Sequence, residues 1–183
     1  MLFPGGRLPL RIFEQRYMAM AKDCLRNETA FGVCLIRAGA EVGAPATPAD
    51  VGTLARITAW DMPQLGVLQV TALGERRFRI LERRVQPDGL AVASIELLSE
   101  EIDSPLSGEF SHCTRLLERV LDQHPGLAEQ PYRLDSCAWV SARLAELLPL
   151  PLDAKQALLE LDDARARLER LNGLIRPAGP SKV

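Results

Sequence analysis

The apolar positions change period several times along the chain, and each change marks an element. After a Pro4-Gly5-Gly6 turn signal, Leu8, Leu10 and Ile12 alternate with Pro9 and Arg11. This predicts a strand whose prolines sit at its start or on a sheet edge. From Glu14 the period lengthens. Tyr17, Met20, Ala21, Cys24 and Leu25 fall at helical spacing, which predicts an amphipathic helix over 14–27, ended by Asn27-Glu28-Thr29. Residues 31–36 form a short, nearly all-apolar run and read as a strand buried on both faces. The small, turn-rich stretch 38–50 reads as a mobile surface loop. Four strands then follow, over 51–60, 67–72, about 78–82 and 90–98. They are divided by Asp61-Met62-Pro63, by Gly74 and by Pro87-Asp88-Gly89. Short strands at this spacing predict a small sheet that curls into a barrel.

At Ser99 the composition shifts to a polar, acidic linker that contains Pro105. Beyond it the period is helical. Phe110, Cys113, Leu117, Val120 and Leu121 mark a helix ended by His124-Pro125-Gly126. Asp135 or Ser136 caps a second helix with Trp139, Val140, Leu144 and Leu147 on its apolar face. Trp139 is expected inside the bundle, against Leu144 and Leu158 or Leu159. Asp153 with Gln156 has the form of a capping box for a third helix. Ala164, Leu168, Leu171 and Ile175 line a fourth, ended by Asn172-Gly173 and Pro177. The fold class is therefore α+β: a β pseudo-barrel with an inserted helix over 1–104, a helical bundle over 105–177, and a loose tail over 178–183.

Composition narrows the function. The chain has 183 residues, 47% of them apolar, enough for a sizeable core. A net charge of −2 exerts no global pull toward nucleic acid or anionic membrane. No apolar run approaches the ~18 residues of a membrane span. The N-terminus has no basic region followed by an apolar one, so the sequence reads as cytoplasmic. Cys24, Cys34, Cys113 and Cys137 form no Cys-x-x-Cys pair and read as reduced, buried thiols.

Particular segments carry a resemblance. Leu2-Phe3-Pro4, Leu8-Pro9-Leu10, Ile12-Phe13-Glu14 and Arg16-Tyr17 open the chain. Val51-Gly52-Thr53-Leu54-Ala55-Arg56-Ile57 and Gly74-x-x-Arg77-Phe78-Arg79-Ile80 follow, and Lys155-Gln156-x-Leu158-Leu159-Glu160 lies in the helical half. Together they resemble the Lon N-terminal (substrate-binding) domain family over roughly residues 2–175. The resemblance implies a PUA-like pseudo-barrel followed by a helical bundle, and the capture of unfolded or tagged polypeptides. In full Lon proteases this region precedes ATPase and protease domains, but this chain contains no Gly-Lys pair and so no phosphate-cradling loop of that type. Members of the family place a further apolar strand ahead of the segment that here forms residues 2–4. The expectation is either a true start about ten residues upstream or self-association, such as a homodimer, through an open barrel edge.

Candidate chemistry is sparse. Ser136 or Ser141 with Lys155 has the residue types of a serine–lysine dyad, but Lys155 reads as a solvated first-turn residue and neither serine sits in a proteolytic motif. His112, Cys113 and His124 lack zinc-ligand spacing, and adjacent helical residues point ~100° apart. Glu14, Arg16 and Tyr17 read as structural, with Glu14 favouring the helix dipole. Arg76, Arg77, Arg79, Arg83 and Arg84 form the densest basic patch, with Arg77 and Arg79 expected on one strand face. The sequence thus predicts a non-enzymatic module without metal or cofactor. It binds polypeptides through a barrel–bundle cleft, with protease or chaperone components as further partners and an adaptor role in protein quality control. The alternative is an RNA-binding PUA-like module that uses the five arginines.

Overall fold

The computed structural model describes residues 1–39, 46–124, 126–128 and 130–175. The predicted 178–183 tail, Pro125, Pro177 and residues 40–45 of the predicted 38–50 loop lie outside them, and residues 47–50 of that loop are strand. The chain divides into two compact units, Met1–Glu100 and Glu101–Val183.

The first unit is a five-stranded antiparallel sheet with one helix inserted after its first strand: β1 (Arg7–Ile12), α1 (Gln15–Asn27), β2 (Phe31–Ala38), β3 (Thr47–Gln64), β4 (Val67–Val85) and β5 (Ala91–Leu97). The strand order is β1-β4-β3-β2, with β5 also paired to β4. β1 and β5 share one edge of β4: β1 covers Leu68 to Leu73, and β5 covers Phe78 to Val85. Among the described residues β1 makes its ladder on one edge only, so Pro9 is accommodated there. The apolar face of α1 packs Ala21 against Ile12, Leu68 and Val70, with Tyr17 and Met18 alongside.

Two predicted turns are strand. Asp61-Met62-Pro63 belongs to β3, and the chain reverses at Leu65-Gly66, where Gly66 takes φ +82°. Gly74 lies inside β4, so two predicted short strands are one. The glycine serves close approach instead. A Cβ there would lie 2.3 Å from the Phe3 carbonyl oxygen, and Gly74 exchanges 2.8 Å backbone hydrogen bonds with Gly5 and Gly6. This tucks Leu2 and Phe3 into the core, where the Leu2 carbonyl accepts a 2.7 Å bond from Thr53 Oγ1. β2 also departs from expectation. It pairs only with β3 among the described residues, and its apolar side chains are half-buried or exposed.

The second unit holds α2 (Ser111–Gln123), α3 (Cys137–Leu147), α4 (Leu152–Leu159) and α5 (Ala164–Ile175). α3 is buried on several sides, through Cys137, Val140, Ser141, Ala142, Arg143, Leu144 and Ala145. Its N-terminus is built from two sequence-distant carriers of oxygen. Ser136 Oγ accepts from Trp139 N–H at 3.0 Å, while Asp103 accepts from Ser136 Oγ, Arg133 Nη2 and Ala138 N–H. Residues read as linker are therefore structural. Trp139 is half-buried, 5.9 Å from the Tyr132 ring, and is not among the bundle's buried residues. The expected capping box at Asp153 is absent: α4 begins behind Pro151 with no side-chain cap, and Gln156 is buried and donates to Glu160. α5 runs through Asn172-Gly173 to Ile175.

The centre of this unit is a buried arginine. Arg167 donates from Nε to the Leu158 carbonyl and from Nη2 to the Leu161 carbonyl, both at 2.9 Å, and forms a two-pronged ion pair with Glu101. Removing one partner of such a buried pair strands the other. Arg167→Met should cost about 3–5 kcal/mol in urea unfolding, whereas Trp139→Ala, at a half-open ring, should cost roughly 1–2 kcal/mol. Asp103 supplies a pH signature. Burial opposes its ionisation, but the bonds from Ser136 and Ala138 and the Arg133 charge outweigh it and hold the carboxyl below its ordinary value near 3.8. A depressed folded-state pKa stabilises above the unfolded value, and that contribution is lost as pH falls through the folded one. Thermal unfolding should therefore show a loss of stability below about pH 4 that Asp103→Asn flattens.

Candidate functional site

The first unit carries a groove of about 710 Å³. Its floor is the Phe78 ring. A Cβ at Gly32 would meet that ring at 2.9 Å and one at Gly52 at 2.8 Å, so both positions must stay bare for the ring to lie across β2 and β3. The Val51-Gly52 and Arg77-Phe78 segments of the sequence are thus two halves of one contact. α1 contributes Tyr17, Met20 and Cys24, and β2 contributes Phe31 and Cys34. On the other side stand Ile80 of β4 with Val92 and Ile95 of β5. The charged side chains in the lining are Arg83 and Arg84. Among the described residues neither forms an ion pair or a side-chain hydrogen bond.

The Glu14-Gln15-Arg16-Tyr17 segment sets one boundary of the groove. Arg16 is buried, donates from Nη1 to the Gly89 carbonyl at 3.0 Å, and holds Glu14 through Nη2 at 2.8 Å. Its guanidinium lies 4.7 Å from the centre of the Tyr17 ring. This one side chain ties the start of α1 to the β4–β5 turn. Arg56 fixes the far end of α1, donating to the Glu28 carbonyl at 2.6 Å while it pairs with Glu75.

The predicted basic face is dispersed. Arg77 is 3% exposed and lies beside the buried Phe78, because the β3–β4 register shifts between Thr53 and Ala55. Arg77 and Arg79 therefore do not form a common exposed face. Arg76 donates to the Leu98 carbonyl, and Arg79, Arg83 and Arg84 are exposed, with Arg83 and Arg84 on opposite faces of a regular stretch of β4.

The catalytic candidates are committed elsewhere. Lys155 is half-buried rather than solvated, and donates from Nζ to the Glu146 carbonyl at 2.6 Å, a bond to the last turn of α3. Burial lowers the Lys155 pKa, and the Glu146 charge opposes that shift. Ser136 caps α3, and Ser141 Oγ donates to the Ala138 carbonyl. His112 Nε2 meets both Asn172 Oδ1 at 2.7 Å and Cys113 Sγ at 3.4 Å. A single ring nitrogen cannot be oriented by one partner while serving the other, and Cys113 is fully buried. Among the described residues no group of three His, Cys, Asp or Glu is placed to hold a metal.

Comparison with known proteins follows this geometry. A family model described as the ATP-dependent protease La (LON) substrate-binding domain matches residues 1–176. A crystal structure of a Lon N-terminal domain protein from Xanthomonas campestris is similar at 38% identity and a TM-score of 0.79, covering 96% of this chain and 94% of that one. A Lon protease from Anaeromyxobacter dehalogenans is 28% identical over 175 residues, 91% of this chain and 21% of that protein. Protein cereblon from Gallus gallus is 31% identical over 105 residues, 56% of this chain and 22% of that protein. The chain spans about a fifth of the length of these two curated relatives.

The groove has its own chemical reporter. Burial, with the Asp50 charge adding to it, pushes the Cys34 thiol up to about 11. The reactive thiolate is therefore scarce at neutral pH. Iodoacetamide should label Cys34 of the folded protein slowly at pH 8 and about tenfold faster per pH unit up to pH 10. Mass spectrometry of the alkylated peptide reads the rate, and fast labelling at pH 8 would contradict the buried setting.

Proposed function

The chain belongs to the LON substrate-binding domain family, and from that premise we propose that it is a non-enzymatic module that binds unfolded or tagged polypeptides. The observation that carries the reading is β2. Its Phe31-Gly32-Val33-Cys34-Leu35-Ile36 sequence has the composition of a doubly buried strand, yet the strand stands at a sheet edge, half-open, beside an apolar groove. Apolar surface of that kind meets the exposed apolar side chains of an unfolded chain without selecting a folded shape.

The absence of a reaction is part of the proposal. Its support is that Lys155, Ser136, Ser141 and His112 are held in bonds that serve the helices. An adaptor role, passing captured chains to protease or chaperone components in the cytoplasm, fits the same surface. No described helix is long and apolar enough to cross a membrane. An RNA-binding module has weaker support, because Arg77 is buried and Arg76 is bonded to the Leu98 carbonyl, so the five arginines do not form one face.

The test is fluorescence anisotropy with a permanently unfolded, reduced and alkylated protein, its native form and a single-stranded RNA as probes. Micromolar binding of the unfolded form alone is expected, with no ATP hydrolysis and no cleavage of the probe. Phe31→Ser should weaken that binding about tenfold, the scale of one lost apolar anchor. Equal binding of native and unfolded forms would refute the reading, and tight RNA binding lost steeply with salt would replace it.

A further inference from the structure

The Glu14-Gln15-Arg16-Tyr17 segment breaks the local rules of a helix start. Arg16 lies in the first turn of α1, where the helix dipole favours an anion, and it is buried. Glu14 holds the N-cap position with extended backbone, yet its side chain caps no backbone N–H; its carboxylate pairs with Arg16 instead. A buried cation at the positive end of a helix, with the cap residue drawn off to meet it, weakens that helix. Local conflicts of this kind are expected where a residue serves something outside its own element.

What Arg16 serves is a span between the two walls of the groove. Its Nη1 donates to the Gly89 carbonyl, and the bonded residues are chain neighbours of Tyr17 and Leu90, which line the groove from opposite sides. Among the described residues this is the one hydrogen bond between α1 and the β4–β5 hairpin. The acceptor is fixed in place. Gly89 N–H donates to the Gln86 carbonyl and Gln86 N–H to the Leu90 carbonyl, each at 2.8 Å, while Leu90 N–H donates to Asp88 Oδ1 at 2.9 Å. The donor is not saturated. Arg16 Nε is buried and has no hydrogen-bond partner among the described residues. The guanidinium is thus held by one bond across the groove and one ion pair at its own helix start, and water would satisfy what remains.

We infer that Arg16 is a latch on the groove: closed on Gly89, it holds the α1 wall and the β4–β5 wall together around a captured segment, and its release lets the segment in and out. The inference rests on the polypeptide-binding reading and assigns a positioning residue to that same site. Arg16 is not in the lining itself. It acts through Tyr17, whose ring centre lies 4.7 Å from the guanidinium, and through the turn that carries Leu90. A single hydrogen bond from a charged donor is strong enough to slow escape about tenfold or more, and weak enough to break.

Arg16→Met removes the bond and keeps apolar bulk. A fluorophore-labelled, reduced and alkylated unfolded protein should leave this variant about tenfold faster in stopped-flow anisotropy. A weakened fold lowers the amount of active protein but not the rate at which the folded fraction releases its probe, so the off-rate separates a latch from a merely structural role. Glu14→Gln keeps the Gly89 bond and should leave the off-rate within about twofold. A second readout needs no captured chain. With the walls parted, iodoacetamide at pH 10 should label Cys34 about fivefold faster in Arg16→Met, at a rate indifferent to dilute urea, as local rather than global opening requires. An unchanged off-rate in Arg16→Met, an equal rise in Glu14→Gln, or Cys34 labelling that stays the same or climbs with urea would each overturn the latch. If the wild-type chain captures no unfolded protein, the polypeptide-binding reading fails, and the labelling alone decides whether Arg16 closes the groove.

Discussion

The first unit depends on a pair of backbone hydrogen bonds. Gly74 bonds to Gly5 and to Gly6, each at 2.8 Å, in the middle of the longest strand. At that point β1 stops covering the edge of β4, and a few residues later β5 takes over. The approach is so close that only a glycine leaves room for the Phe3 carbonyl. The register of β4 against β3 shifts there, and the strand leaves the shift with both Arg77 and Phe78 buried. Phe78 then lies over Gly32 and Gly52 and becomes the groove floor. A turn at residues 4–6 thus determines, through one bulge, where a side chain some seventy positions later must pack. The groove forms where that ring lies between β2 and β5, which do not pair with each other among the described residues.

The second unit is organised by charge rather than by apolar contact alone. Arg167 is fully buried and ties α5 to the carbonyls that end α4 and to Glu101 at the unit's start. An ion pair in such a place is weak evidence for stability, because desolvation consumes much of its attraction. Its value here lies in geometry. The planar guanidinium donates to carbonyls at the α4–α5 junction, and no apolar side chain of the same volume could do so. Asp103 acts likewise at the start of α3, where its carboxylate collects Ser136, Arg133 and Ala138. The acidic stretch that reads as a linker is therefore part of the bundle.

The helices were largely legible in the sequence because their signals are local. The 3.6-residue spacing located α1, α2, α3 and α5 to within a residue or two, and Ser136 was visible as a cap. The failures involve residues whose role depends on something far away. Gly74 and Asp61-Met62-Pro63 carry turn composition, but the first answers a distant backbone contact and the second sits in an exposed strand end. Lys155 and Gln156 look like first-turn residues until the carbonyl of Glu146 and the carboxylate of Glu160 are in place. Trp139 lies on the predicted apolar face but stacks at its margin against Tyr132. Arg83 and Arg84 were visible as charge, yet nothing local tells that they border an apolar trough while Arg77 turns inward.

β2 was misread for a more instructive reason. An apolar run with no polar alternation normally means burial on both faces, because leaving such a strand open forfeits about 25 cal/mol for each Å² of apolar surface left in water. Here, among the described residues, β2 pairs only with β3 and its apolar side chains stay half-buried or exposed. A groove of about 710 Å³ lies within the ~300–1,000 Å³ range of ligand sites and admits a few side chains, not a folded domain. Ordering a flexible segment in it costs several kcal/mol before any net affinity is gained, so the balance favours weak and reversible capture. Weak capture suits a module that must release what it holds. The half-open apolar face of β2 beside the groove is the feature of the fold that fits such capture.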